Sequence, residues 1–161
     1  MSTREFFIKR WESEQPAFGK VLRAIPEGQL GYKPHERCSA AGPLAWQLVE
    51  EQKQLKQMVE TGEVKFALTP HPAAAADIVA EWEKATGALR AAFAAADDAK
   101  WSGTAKLVMG EGAEWSDTLE NMCWGYLFDM VHHRGQLSAY LRPMGGKFPA
   151  IYGPSADDSG A

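Results

Sequence analysis

The sequence lacks any long apolar run, and none approaches the roughly 20 residues that a transmembrane helix needs. Its first ten residues, MSTREFFIKR, start an amphipathic pattern and lack the uninterrupted apolar segment of a signal peptide. We therefore expect no contact with a membrane and a soluble protein of the cytoplasm.

Cysteine is also scarce. The chain has two, Cys38 in a polar loop and Cys123 in an apolar helical segment. Two distant thiols in such different contexts do not form a disulfide framework or a zinc motif. We expect two unpaired thiols, as is usual in a reducing cytoplasm.

Positive charge is dispersed along the chain. There are 17 Lys and Arg residues against 21 Asp and Glu, with no basic run longer than a pair. Binding to nucleic acid requires a concentrated positive face to neutralise phosphates. We therefore expect no nucleic-acid partner, and an action on DNA has no support in the charge pattern.

Length and hydrophobicity predict one domain. A chain of 161 residues with 45% hydrophobic residues can bury one substantial core and is too short for two. We expect a single domain over about residues 1–155, followed by a mobile tail at about 156–161.

Apolar residues recur at helical spacing in four long segments. They predict helices at about residues 3–25, 43–60, 73–96 and 116–142. Strand signals are few, with short extended pieces expected near 63–70 and 106–108. The predicted fold class is therefore all-α, a four-helix bundle.

Helix boundaries carry specific signals. Ser2 with Glu5 fits a capping box at the start of the first helix. Gly62 supplies a left-handed stop for the second helix. Ser116 or Asp117 is expected to cap the fourth.

Polar side chains enter the predicted interior on two helices. Asp129 and His133, one turn apart, share a face of the last helix with apolar residues, and Gln136 lies on the same face. Burying a carboxylate and an imidazole is unfavourable unless they are paired, hydrogen-bonded or coordinating an ion. Gln47 and Glu51 are four apart on the apolar side of the second helix. Because sites in bundles are built from facing helices, these four side chains form the candidate site.

Glu14 is a third carboxylate that falls on an apolar stripe, that of the first helix. Its neighbours on the stripe are Trp11 and Phe18. A glutamate beside Pro16 is more often a cap or solvated than functional. The sequence leaves open whether Glu14 or Glu51 completes the candidate site.

The end of the last helix and the residues after it, HHRGQLSAYLRPMGGKFPAIYGPSAD, resemble the C-terminal signature of the DinB-like superfamily. The loop LGYKPHERCSAAGPLAWQL agrees with it more weakly. The resemblance implies an up-down-down-up bundle, frequent homodimers, and in many members a divalent metal held by three histidines. One histidine comes from the second helix and two, spaced four apart, from the last.

This chain keeps one of those three histidines, so the resemblance implies a subgroup with a substituted metal triad. His133 matches the second histidine of the last helix, and Asp129 stands where its partner would be. Gln47 occupies the histidine position of the second helix, with Glu51 one turn further. His132 points about 100° away from His133 and is expected to pack or lie on the surface.

Two interpretations of this cluster stay open. Gln47, Asp129 and His133, with Glu51 as an additional carboxylate, are competent ligands for a divalent metal such as Mn, Zn or Ni. The same side chains also form a metal-free, hydrogen-bonded polar cluster if Asp129 accepts from His133.

The functional expectations follow the same division. Relatives include metal-dependent thiol transferases and a thiol-using isomerase, so the resemblance implies a metal-dependent transferase or hydrolase. In such an enzyme Tyr126 and Gln136 would orient a small-molecule substrate, and Arg142 would hold an anionic group. The alternative is a metal-free, non-catalytic dimeric bundle that binds a small ligand or another protein. The sequence indicates neither the substrate nor the catalytic residues.

Overall fold

The computed structural model describes residues 1–160. This part of the chain contains five helices and three short strands joined by loops. The helices are α1 Thr3–Arg23, α2 Ala41–Thr61, α3 Ala75–Ala95, α4 Asp98–Ser102 and α5 Leu119–Leu141. The strands are β1 Glu63–Lys65, β2 Thr104–Met109 and β3 Ala113–Thr118. The molecule is thus mostly helical, with a small sheet.

The start of α1 and the end of α2 lie where the sequence predicts them. Ser2 and Glu5 form the capping box of α1, each side chain bonding the backbone of the other. Gly62 ends α2 in the left-handed region with a φ of 80°, where a Cβ would be strained. Both predictions are confirmed.

The four long helices enclose one hydrophobic core. Helix α2 packs on α3 and α5, and α1 packs on the same two helices. Aromatic rings meet edge to face in this core, with Phe93 at 5.5 Å from Phe7 and 5.3 Å from Trp11 between ring centroids. Such pairs stabilise the core by about 0.5–1.5 kcal/mol each beyond their buried area.

The all-α expectation is wrong in one respect, because a three-stranded sheet in the order β1-β2-β3 covers part of the helices. Strand β1 runs parallel to β2, and β2 pairs antiparallel with β3 from Thr104↔Thr118 to Met109↔Ala113. Strand β3, AEWSDT, is mostly exposed and polar. Its extended conformation therefore depends on pairing with β2 rather than on a hydrophobic pattern of its own.

The sheet also moves the start of the last helix. Ser116 and Asp117, the predicted caps, belong to β3 and pair with Lys106 and Ala105. The side chain of Thr118 accepts a hydrogen bond from Asn121 N and caps α5 instead. The helix can begin only where strand pairing ends, at Leu119.

Two further expectations concern membranes and thiols. No helix among residues 1–160 combines the length and hydrophobicity needed to cross a bilayer. Cys38 and Cys123 are both free, and Cys123 is buried. Burial raises the pKa of the Cys123 thiol well above its ordinary value, which keeps the group protonated and unreactive.

The chain after α5 folds back along the helices. Asp157 accepts hydrogen bonds from Arg142 Nε and Phe148 N, and Asp158 accepts one from Ala150 N. Residues 157 and 158, part of the tail expected to be mobile, therefore hold residues 148–150 in place. Residue 161, the last of that tail, lies outside the described residues.

A buried ion pair connects the first and last helices. Arg134 Nη1 donates to Glu14 Oε2 at 2.7 Å, with the two side chains 3% and 11% exposed. Tyr152 donates its hydroxyl to the same Glu14 oxygen at 2.7 Å. Glu14 thus faces inward as the sequence indicates, and its partner is an arginine rather than the candidate site.

We expect the Glu14→Ala variant to lose about 3–5 kcal/mol of unfolding free energy, because it leaves the Arg134 guanidinium buried without its counter-charge. The Glu12→Ala variant is the matched control, since Glu12 on the same helix pairs with Arg90 in solvent. It should lose no more than about 1 kcal/mol. Urea unfolding measures both, and equal losses would contradict the buried role.

Candidate metal-binding site

The four candidate side chains meet where α2 faces α5. Glu51 Oε1 lies 3.0 Å from His133 Nδ1. Gln47 donates from Nε2 to Glu51 Oε1 at 2.9 Å and contacts both ring nitrogens of His133, at 3.3 and 3.2 Å. Asp129 Oδ2 lies 3.8 Å from His133 Nδ1. The one-turn spacing on each helix is what aligns the two pairs.

The carboxylates differ sharply in burial. Glu51 is 1% exposed, whereas the Asp129 side chain is 54% exposed. The sequence-based expectation that Asp129 faces the interior is therefore wrong, because it lies at the rim of the cluster. Glu51 from α2, considered above only as an additional ligand, is the deep acid. A carboxylate at the rim keeps part of its hydration, so its position is much less unfavourable.

Gln47 approaches the cluster through its amide nitrogen. An amide nitrogen that donates to Glu51 has no lone pair for a metal, so Gln47 is not a ligand in this orientation. Its role in the structure is to hold the Glu51 carboxylate and the His133 ring in place. Gln47 as a metal ligand therefore stays a prediction, and Glu51, Asp129 and His133 are the three acidic or histidine side chains whose ligand atoms lie close together.

One oxygen of Glu51 is left without a partner. Oε2 is buried and receives no hydrogen bond from residues 1–160. An unsatisfied buried acceptor costs about 1–3 kcal/mol, and more when it is charged. One ligand atom each of Glu51, Asp129 and His133 lies within 4.8 Å of the others. Ligands of a single ion at about 2.0–2.2 Å stand at most about 4.4 Å apart, so the three groups fit a cation with small side-chain shifts.

The pKa values of Glu51 and His133 are both raised by their surroundings in the cluster. Burial raises the pKa of Glu51, and the hydrogen bond from His133 only partly offsets this. For His133, burial acts to lower the pKa, but the hydrogen bond to Glu51 and the charges of Glu51 and Asp129 outweigh it. The net pKa of His133 is raised. Both shifts favour binding of a proton by the Glu51–His133 pair when no cation is present.

A groove of about 540 Å³ lies next to this cluster, and Glu51 and Asp129 form part of its wall. Leu107, Met109 and Trp115 line it from the sheet, and Met122, Tyr126 and Phe128 line it from α5. The volume is in the range of small-molecule sites, about 300–1,000 Å³. A ligand in the groove would lie beside the carboxylates.

A comparison of the chain with models of protein families gives one match over almost its whole length. The model described as the DinB family matches residues 1–160. The chain belongs to the DinB family. No curated protein sequence matches it.

Two solved structures of DinB-like proteins have the same fold as this chain. A DinB-like protein from Bacillus cereus matches with a TM-score of 0.75 and 18% identity, over 92% of this chain and 97% of that one. A DinB-like protein from Bacillus subtilis matches with a TM-score of 0.70 and 16% identity, over 88% and 93%. A mycothiol-dependent maleylpyruvate isomerase variant, at a TM-score of 0.46, is too distant to support an inference.

The predicted substrate-binding residues of the DinB protein are not all near the groove. Tyr126 lines it and donates its hydroxyl to Gln54 Oε1 at 3.2 Å. Gln136 is exposed and is not part of the groove wall. Arg142 is bonded to Asp157 and follows His133 by nine residues, roughly 13 Å along the helix. Gln136 and Arg142 therefore do not line this groove, and their substrate-binding roles stay predictions, because helical spacing indicates a face of the helix and not the distance to a pocket.

The sheet residues of the groove were missed by the sequence reasoning. Leu107, Trp115 and Asp117 line it because alternate residues of β2 and β3 face the helices. In the sequence TAKLVM of β2, the apolar residues Ala105, Leu107 and Met109 occupy alternate positions, which is the pattern of a strand with one face turned inward. His132, expected to pack or lie on the surface, is exposed and also lines the groove.

We expect the metal-free DinB protein to become less stable as the pH rises above about 6.5, the ordinary pKa of histidine. A group whose pKa is raised by folding keeps its proton in the fold after the unfolded chain has lost it, so the stabilisation is complete below the unfolded pKa and is lost through the folded one. Both His133 and Glu51 act in this direction. Urea unfolding of chelator-treated protein from pH 5.5 to 8.5 measures the slope.

The Glu51→Gln variant keeps the side-chain shape and removes the charge, so its stability should depend less on pH over that window. The His132→Gln variant, one residue from His133 and exposed, is the control and should keep the wild-type slope. A slope that is the same in Glu51→Gln and in wild type would contradict the shared proton.

Proposed function

We propose that this DinB-family protein binds a divalent metal ion through Glu51, Asp129 and His133 and acts as a metal-dependent transferase or hydrolase on a small molecule held in the groove. The observation that carries the proposal is Glu51 Oε2, a buried carboxylate oxygen without a partner. Glu51 is one of three residues that each have a ligand atom within 4.8 Å of a ligand atom of the other two. Ligands offered by two facing helices are also how bundle folds build metal sites.

The donor set supports a borderline or hard ion. Two carboxylates and one imidazole suit Zn, Mn or Ni, with solvent or substrate completing the coordination. The two carboxylate charges balance a divalent cation. Gln47 would act on the deep side as a positioning residue, because its amide orients both Glu51 and His133.

The proposed chemistry is that of an activated thiol or water. A divalent ion in this site supplies a Lewis acid that lowers the pKa of a thiol or water close to it. Asp129 at the solvent-exposed rim leaves one side of the cluster accessible from the groove. Burial and the nearby carboxylates raise the pKa of Tyr126, so its hydroxyl stays protonated and serves as a hydrogen-bond donor rather than a base.

A second candidate function is a metal-free, non-catalytic bundle that binds a small ligand or another protein. Its support is the Gln47 amide, which donates to Glu51 and contacts His133 and thereby satisfies most of the cluster without an ion. In that case the groove would bind a ligand without chemistry. Metal content separates the two candidates.

We expect untagged protein, purified without added metal and then equilibrated with Zn²⁺ or Mn²⁺ and dialysed, to retain one ion per chain by elemental analysis. The Asp129→Ala, His133→Ala double variant removes two of three ligands and should retain none. The His132→Ala variant is the matched control and should bind as wild type does. No ion in either wild type or double variant would favour the metal-free candidate.

Activity is tested with a panel of thiols, cysteamine, 2-mercaptoethanol and glutathione, and the electrophile monochlorobimane. The thiol sulfur displaces chloride from the bimane and the thiol proton passes to solvent, which gives a fluorescent product. Metal-loaded wild type should accelerate this reaction for at least one thiol, and the double variant should not. Equal rates with metal-loaded wild type and double variant would contradict a thiol transferase.

We also propose that the protein is a homodimer, as the family resemblance implies. An exposed apolar surface where Phe6 packs on Trp124 supports this, because Phe6 is 46% exposed and its ring lies 6.1 Å from that tryptophan between centroids. Sedimentation velocity should give twice the chain mass of 17.7 kDa for wild type. The Phe6→Glu variant should sediment as a monomer, and a monomeric wild type would refute the dimer.

A further inference from the structure

The lysines of the sheet lie on the face that points away from the groove. Alternation places Leu107, Met109, Trp115 and Asp117 on the face that lines the groove. Lys65 and Lys106 fall at the intervening positions and point away, and Lys106 pairs with Glu114 at 3.2 Å. The face of the sheet that lines the groove is therefore apolar apart from Asp117, and among the described residues it has no lysine or arginine.

The complete groove wall has the same character. Three of its residues are carboxylates, namely Glu51, Asp117 and Asp129, and it contains no lysine or arginine among residues 1–160. A divalent ion at the proposed metal site would offset Glu51 and Asp129. Asp117 would still carry an uncompensated negative charge, so the sign of the groove does not depend on the metal.

Asp117 is fixed in place and has a free oxygen. Its Oδ1 accepts hydrogen bonds from Thr118 N at 2.7 Å and from Asn121 Nδ2 at 2.9 Å. Its Oδ2 makes no hydrogen bond among the described residues. A half-buried carboxylate held by one oxygen offers the other to a ligand without first losing a partner.

Two aromatic rings of the groove are open to solvent. Trp115 is 67% exposed and Phe128 is 65% exposed, and both line the same groove as Asp117. The faces of tryptophan and phenylalanine rings attract organic cations. An aromatic wall beside an unpaired carboxylate is the usual recognition pattern for amines and quaternary ammonium groups.

Resting on the proposed function, we infer that the substrate taken by the groove is an organic cation, an amine or quaternary ammonium compound with an apolar body. Asp117 Oδ2 pairs with the positive group, and Trp115 and Phe128 pack on it. The apolar body lies along Leu107, Met109 and Met122. No lysine or arginine in the described part of the chain lines the groove to pair with an anionic ligand, so its wall favours a cation over an anion.

Isothermal titration with three probes of similar size tests the inference. They are 3-phenylpropyltrimethylammonium as cation, 3-phenylpropan-1-ol as neutral ligand and 3-phenylpropane-1-sulfonate as anion, each measured with chelator-treated and with Zn²⁺-loaded protein. The cation should bind about tenfold more tightly than the alcohol in both forms. The sulfonate should bind more weakly than the alcohol.

The Asp117→Asn variant keeps the oxygen that accepts from Thr118 N and removes the charge. It should lower the affinity for the cation about fivefold to tenfold and leave the affinity for the alcohol unchanged. The Glu111→Gln variant removes an exposed acid of the same hairpin outside the groove and is the control, with no change for any probe. Thermal unfolding confirms that both variants are folded.

The inference is overturned if the cation does not bind, if the sulfonate binds as tightly as the cation, or if Asp117→Asn changes all three probes alike. Metal retention in the elemental analysis is measured separately. If no metal is retained but the cation is preferred, the metal-dependent function fails and the ligand class stands. If metal is retained and the anion is preferred, only the ligand class fails.

Discussion

A glutamate buried between two helices is the constraint on which the rest of the site depends. Glu51 is 1% exposed, and only one of its oxygens is satisfied, by His133 and Gln47. A charged group in such a position needs a compensating partner, since desolvation of a carboxylate costs several kcal/mol. The proton shared with His133 offers partial compensation, and a divalent cation would offer more. A proton and the proposed divalent ion are thus the two alternative ways to compensate the Glu51 carboxylate.

The surrounding fold keeps this cluster in place and gives it one open side. The core formed by α1, α2, α3 and α5 fixes the facing turns of α2 and α5, and the Arg134–Glu14 pair holds α5 against α1 one residue after His133. The sheet covers the beginning of α5 and forms the opposite wall of the groove. Rigid elements therefore carry the ionisable groups, while access is limited to the rim where Asp129 lies.

The helices were predictable because their apolar periodicity is long and regular; the predicted 43–60 and 73–96 compare with Ala41–Thr61 and Ala75–Ala95. Helical phase also brought Asp129 and His133 opposite α2. Helical phase does not indicate how deeply a side chain is buried, because α5 packs on two sides. For this reason the sequence predicts an inward Asp129, whereas the structure buries Glu51 and exposes Asp129. Strand β3 escaped prediction because its polar residues become extended only through pairing with β2. The partner of Glu14 lies 120 residues away, beyond any local pattern.

The direct test of the account is anomalous diffraction from crystals grown with Zn²⁺ or Mn²⁺ and measured on both sides of the metal absorption edge. The account predicts one anomalous peak per chain, within bonding distance of Glu51, Asp129 and His133, with Glu51 Oε2 as a ligand. It would be contradicted by crystals that show no peak at this position and retain the hydrogen bond from Gln47 to Glu51 and the contact of Gln47 with His133.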